Sequence, residues 1–428
     1  MTSRVATDMK AAAPWRSTTS DWLAAAAIFA LPWSTSATSI LVVAWMIVVV
    51  PSLDGLTMRR CLTTPAAYLP VVLWLFAAIG MLWSDATWAA RLDGFRAFHK
   101  LLLIPLLMMQ FSRSSNGLKV VLAFLLSSTV LLAYSWASLK WPSLIWRDNV
   151  GRAPGIPIKD YIYQSICFVL AACGLIHLII SMERNRRYGY ALAAVLLTVL
   201  FLANMAYVAT ARTALVILPV LLLTIGVQRF GLRRALVPVI IFAGLAAVAW
   251  NTSPYLRTRI QALVLNTKHF DPESSTSEAQ RIELWRKSAE SIADAPIIGH
   301  GTGYIRDAML KAREGNQGAA ALVVNNPHNQ TFAVGIQLGI AGMAILFAMW
   351  IAHLLLFAGH SWASWFGLMV VLQNIVACLF NSHLSDFTAG WLYVLGVGIL
   401  GGTVLRERAA RKTIVAAEIP NGLSRSHA

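Results

Sequence analysis

Apolar runs of helix length, separated by short basic loops, make up most of the chain, and one long polar stretch at 251–329 interrupts them. A run of about 20 apolar residues crosses the hydrocarbon core of a bilayer as a helix. The pattern predicts twelve spans, at about 21–35, 37–53, 67–84, 98–111, 118–138, 161–181, 189–207, 213–228, 234–250, 330–357, 362–380 and 387–405. The fourth is short enough to be re-entrant. The chain thus divides into residues 1–250 with nine spans, an insert at 251–329, and residues 330–428 with three spans and a basic tail. The expected fold class is an all-α polytopic membrane protein.

Within the insert, 278–294 reads as an amphipathic helix, with Ile282, Trp285, Ala289 and Ile292 recurring at helical spacing. Ser277 can cap it and Pro296 stops it. The glycines of GHGTG (299–303) turn the chain, and a second helix is expected over 304–314. Both helices would lie on the outer leaflet. His300, in the glycine turn, is expected to be exposed.

Composition fixes how the charge is read. Only 13% of residues are charged, against about a quarter in soluble domains. The net charge of +16 would suggest nucleic acid in a soluble protein, but here the basic residues crowd the short loops, where they set topology. With the N-terminus in the cytoplasm, the basic loops at 54–66, 112–117, 183–188 and 229–234 and both tails fall inside, and the insert falls outside. The first apolar run leads directly into a second without a small-residue cleavage site, so no cleaved signal peptide is expected. Cys61, Cys167, Cys173 and Cys378 all lie outside the insert, so neither a disulfide nor a cysteine metal site is expected. His177 and His353 stand out as ionisable residues inside spans and read as packed histidines. A proton-coupled transporter would carry carboxylates at mid-membrane depth, and no internal repeat is visible, so transport loses weight.

Seven outward-facing polar residues at span ends are candidates for chemistry: Arg152, Lys159, Tyr161, Arg212, Arg281, His328 and Asn329. Arg212, in the very short turn ATAR, either snorkels to the headgroups or grips a phosphate, because guanidinium binds phosphate oxygens as a fork. Arg281 is either surface attraction to anionic lipid or a second such grip. His328 follows Pro327 and precedes a span beside Asn329. It either bonds a loop carbonyl or exchanges a proton near neutral pH. The GHGTG glycines follow no strand, so they form no nucleotide cradle. Asp271-Pro-Glu273 reads as solvated loop rather than a metal site.

Taken together, ARTA before a span, Arg281-x-x-x-Trp285, Pro296-x-x-Gly299-x-Gly301, and His328-Asn329 opening a span with glycines at 335 and 339 resemble the O-antigen ligase and polymerase superfamily. The motifs cover roughly 200–345, and a single dominant outer loop makes the chain look most like a ligase. The resemblance implies a type C glycosyltransferase fold in the bacterial inner membrane, with both termini cytoplasmic and a periplasmic site. It also implies an undecaprenyl-pyrophosphate-linked polysaccharide donor, a lipid A–core acceptor, and neither cofactor nor metal. Carried over by motif, the essential arginines are Arg212 and Arg281 and the essential histidine is His328. GRAPG makes Arg152 a weaker match, with Lys159, Tyr161 and Asn329 as further substrate-binding candidates. A repeat polymerase and a protein O-oligosaccharyltransferase share these motifs. A lipid-linked oligosaccharide flippase is the alternative from another class.

Overall fold

The computed structural model describes residues 14–145, 153–209, 211–268, 277–313 and 321–422. Among them helices dominate, and the only extended pairing is an isolated bridge between Ala153 and Ile156. Among the described residues, eight helices are long and apolar enough to cross a membrane, from Thr35–Ser52 to Phe387–Ile414. The pair Gly55–Leu62 and Pro65–Gly80, bent by 88°, makes a further candidate, and Trp362–Cys378 is a shorter apolar helix. The chain is a multi-pass, nearly all-helical membrane protein.

The last helix, Phe387–Gly422, packs on Leu103–Arg113 and Trp362–Cys378, while Tyr161–Arg184 packs on Tyr188–Tyr207. Many of the long helices expose one apolar stripe, as at Ile40, Leu196 and Ile240. In water that would oppose folding; in lipid it costs nothing.

The sequence reading passed over several ionisable residues that the fold buries. Asp21, 5% exposed, accepts from Gln110 Nε2 (2.7 Å), Ser114 Oγ (2.6 Å) and Asn116 Nδ2 (2.8 Å). Three donors satisfy a buried carboxylate, so Asp21 joins helices rather than lining a path. His353 is fully buried between Tyr393 Oη (2.6 Å) and Ala66 O (2.8 Å), the packed histidine expected of it. Lys100, also buried, belongs to the site described below.

The decisive join is between the insert and the helix that follows it. Gln330–Leu356 is interrupted at Gly339, whose φ of +61° and ψ of −162° lie outside the helical region. Such a break frees backbone groups that hydrocarbon cannot satisfy. The segment 296–303 supplies partners: Ile340 N–H donates to Pro296 O (2.8 Å), Ala341 N–H to Ile297 O (3.1 Å), and His300 N–H to Ile336 O (3.0 Å). Gly301 N–H donates to Gln337 O (2.9 Å) and Thr302 N–H to Gly80 O (3.0 Å). Backbones this close leave no room for side chains, since a β-carbon on Gly339 would sit 2.5 Å from the Ile297 carbonyl carbon. The motif Pro296-x-x-Gly299-x-Gly301 is therefore a splice in a broken helix.

The splice fixes the helix before it. Ser277–Asp294 lies along Gln330–Leu356, but not on the expected face. Leu284, Ser288 and Ser291 are buried, whereas Ile282 is 46% exposed and Ala289 is exposed. Ser288 permits close packing here because its Oγ donates to Leu284 O at 2.6 Å, which satisfies the hydroxyl inside its own helix. Hydrophobic periodicity is blind to that. His300 is likewise half-buried rather than exposed, bonded to Ser291 O at 2.8 Å and stacked on Tyr304. A helix not foreseen, Pro254–Lys268, continues the insert from its first residues, and the second insert helix is shorter than expected, Ile305–Lys311.

Candidate active site

Where the insert ends, residues 326–330 dock side chain by side chain onto the loop 379–386 between the last two apolar helices. Asn326 Nδ2 donates to Asn381 Oδ1 (2.7 Å), and Asn329 Nδ2 to Leu379 O (3.3 Å). Ser385 N–H donates to Gln330 Oε1 (3.2 Å). Asn329 Oδ1 also caps Gln330–Leu356 by accepting from the Thr331 and Phe332 N–H groups. Its polar atoms are thus engaged by the protein itself.

His328 sits at φ +53°, a left-handed conformation uncommon for a residue with a side chain. Pro327 precedes it, and its N–H is held by Asn326 Oδ1 at 2.9 Å. The Trp285 indole donates to its carbonyl at 3.4 Å. The strained backbone is over-determined on both sides, so the imidazole direction is fixed.

The ring has a defined tautomer. Its Nδ1 lies 3.0 Å from an Asn381 side chain whose Nδ2 donates to Asp386 Oδ2 at 3.0 Å. A carboxylate only accepts, so the amide must turn its NH2 toward Asp386 and its oxygen toward His328. Nδ1 therefore carries the proton, and the lone pair is at Nε2. Burial holds the His328 pKa below its ordinary value, the Asn381 bond opposes that, and the Arg281 cation adds to it. A neutral imidazole with its lone pair at Nε2 is a ready proton acceptor.

Asp386 is itself anchored. His383 Nδ1 lies 2.9 Å from its Oδ2, and the Tyr163 phenol faces it. Lys100, buried at the end of Trp88–His99, donates from Nζ to Ser385 O (3.0 Å) and Asp386 O (2.6 Å). One ammonium thereby clamps the loop that aims the histidine. A cleft of about 260 Å³ opens beside this loop, with Asp93, Arg306, Asn326, Gln337, Ser385 and Asp386 on its walls. Asp93 and Arg306 offer one charge of each sign, and the rest offer amides, a hydroxyl and a carboxylate.

The seven residues singled out in the sequence are distributed as follows. Arg281 is half-buried, and burial pulls its guanidinium below its ordinary range while the Tyr161 phenol raises it. Tyr161, Arg281 and His328 thus share one electrostatic neighbourhood. Arg212 opens the helix Arg212–Phe230. The turn before it is pinned to Ser165 Oγ, which donates to Ala209 O (2.9 Å) and accepts from Ala211 N–H (3.2 Å). Ser165 lies one helical turn beyond Tyr161 on the same face, so the Arg212 turn borders the same helix end. Lys159 donates to Leu31 O (2.6 Å) and Thr388 Oγ1 (2.8 Å), and burial lowers its pKa to about 8. It fastens the start of Tyr161–Arg184 to the start of Phe387–Gly422. Arg152 lies outside the described residues.

Sequence reasoning missed Asn381, His383, Asp386 and Lys100. A signal was available for each. Asn-Ser-His-Leu-Ser-Asp is a polar hexad between two apolar runs, and Lys100 is a cation inside an apolar run, where charge usually marks function.

Residues 197–347 match the family model described as O-antigen ligase. The match takes in Arg212, Arg281, His328 and the Gly339 splice, and it supports the O-antigen ligase superfamily. No curated protein matches the chain.

Proposed function

We propose that this chain, which carries an O-antigen ligase superfamily domain over residues 197–347, transfers polysaccharide from undecaprenyl pyrophosphate to a hydroxyl of lipid A–core oligosaccharide. In this reading it crosses the inner membrane twelve times in a type C glycosyltransferase arrangement. Both termini are cytoplasmic, and residues 251–329 form the periplasmic unit between the span-bearing stretches 1–250 and 330–428.

The reaction is a single displacement. The acceptor oxygen attacks the anomeric carbon as the bond from that carbon to the pyrophosphate oxygen breaks, which inverts the carbon. The acceptor proton passes to His328 Nε2, and undecaprenyl pyrophosphate departs with the bonding electron pair. Arg212 and Arg281 neutralise the leaving diphosphate, so the step needs no metal. Preorganised charge of this kind is worth most in a site shielded from water. Tyr161, Lys159 and Asn329 serve by shaping the pocket, and the cleft walled by Asp93, Gln337 and Asp386 accommodates sugar hydroxyls.

The observation that carries the reading is the tautomer of His328: the Asn381 amide, oriented by Asp386, leaves the Nε2 lone pair available. Purified protein in proteoliposomes, given lipid-linked polysaccharide and lipid A–core, should yield capped core, and His328→Ala should abolish the product without loss of fold. Chain extension on the donor alone would assign a polymerase instead, and transfer to a protein would assign an O-oligosaccharyltransferase. Donor crossing the bilayer unmodified would assign a flippase.

A further inference from the structure

At the end of the bundle opposite His328, the chain holds a second cavity, of about 250 Å³, between the helices Gly117–Lys140, Tyr161–Arg184 and Trp362–Cys378. Its walls are apolar, with Leu122, Leu125 and Phe366 among them, and His177 and Trp365 sit on its surface. The apolar depth suits an acyl chain.

Its polar edge is short of acceptors. Trp365 is 2% exposed, and its indole Nε1 has no hydrogen-bond partner. Arg229, from the end of Arg212–Phe230, places its guanidinium 5.9 Å from the Trp365 ring centroid and bonds His177 Nδ1 through Nη2. Its Nε is buried and also without a partner. Arg184 lies within Coulombic range of both Arg229 and His177. None of the ion pairs formed among the described residues includes Arg184 or Arg229. Two like charges and two orphaned donors gathered around His177 and Trp365, which line the apolar cavity, form an incomplete site, because a buried donor left unpaired is destabilising.

We propose that this cavity binds an anionic glycerophospholipid of the leaflet at that end. One acyl chain fills the space along Leu122 and Leu125, and the phosphodiester accepts from Arg229 and Trp365 while balancing Arg184. A zwitterionic lipid brings its own cation to the same place and is disfavoured by the two arginines. The inference is independent of the transfer reaction, since none of its residues belongs to the proposed active site.

Native mass spectrometry of the full chain in detergent tests it, with dioleoyl phosphatidylglycerol, dioleoyl phosphatidylcholine and inorganic phosphate titrated separately. Phosphatidylglycerol should bind at least tenfold more tightly than phosphatidylcholine. Arg229→Gln should remove most of that preference, whereas Trp365→Phe, which keeps the ring face and the fold, should weaken the binding of both lipids alike by losing a donor to their common phosphodiester. Equal binding of the two lipids would reduce the cavity to a non-selective apolar groove and overturn the proposal. Displacement of phosphatidylglycerol by millimolar inorganic phosphate would show a free-anion site and overturn it as well.

Discussion

Asn381 stands between His328 and Asp386, 3.0 Å from each, with its oxygen toward the imidazole and its NH2 toward the carboxylate. The acid never touches the histidine, yet it decides which ring nitrogen holds the proton. Asn326 reinforces the arrangement by donating to the same Asn381 oxygen at 2.7 Å.

Asp386→Asn tests that relay. An amide at 386 can donate as well as accept, so Asn381 is released to flip and present NH2 to Nδ1, which moves the ring proton to Nε2. A hydrogen bond to a charged group is worth about 1.5–3 kcal/mol, so the turnover rate should fall about 10- to 100-fold. The donor KM should change little. An unchanged rate would remove Asp386 and Asn381 from the mechanism.

The pH profile follows from the His328 environment. Burial disfavours the imidazolium and the Arg281 cation adds to that, so the folded pKa lies below the ordinary 6.5. A base works only when deprotonated, so transfer should be sustained down through pH 6.5 and fall only below it. Arg281→Gln removes one of the lowering causes and should move the acidic limb toward higher pH. A limb that stays in place in that variant would separate the limb from His328.

The two arginines should differ from lysine in a way that charge alone does not predict. Arg281→Lys keeps the cation but loses the planar fork that meets a phosphate with two parallel bonds. Removing one preorganised donor from a developing anion typically costs about 10²–10³ in rate. Both Arg281→Lys and Arg212→Lys should approach that loss in a proteoliposome transfer assay. Full activity in either lysine variant would reduce that arginine to a surface charge.

The splice at Gly339 predicts a contrast between neighbouring glycines. Gly339→Ala forces a β-carbon onto a backbone at φ +61°, ψ −162°, a region essentially reserved for glycine that costs about 1–3 kcal/mol, and drives it within 2.5 Å of the Ile297 carbonyl carbon. The variant should melt at a lower temperature and lose transfer, because the same backbone bonds set the helix that carries Arg281. At Gly335 an added β-carbon meets the movable ends of Ile292 (2.6 Å) and Met343 (3.0 Å). Gly335→Ala should therefore be the milder change in a thermal-shift measurement.

The amino-acid sequence by itself determined the solvent. Long apolar runs with basic punctuation can only be helices in lipid, and that much needs no tertiary contact, because hydrogen bonds within each helix satisfy its backbone. It also determined the motif order around Arg212, Arg281 and His328, since each sits in a short pattern of residue types at fixed spacing that can be read along the chain. Only the tertiary structure decided which face of Ser277–Asp294 is buried, because serine satisfied by its own helix packs like alanine. It also decided that Asn381 and Asp386 aim His328 from more than fifty residues downstream and that Lys100 clamps their loop. Those partners are polar residues whose meaning lies in distance and direction, and one-dimensional pattern records composition and period but neither of these.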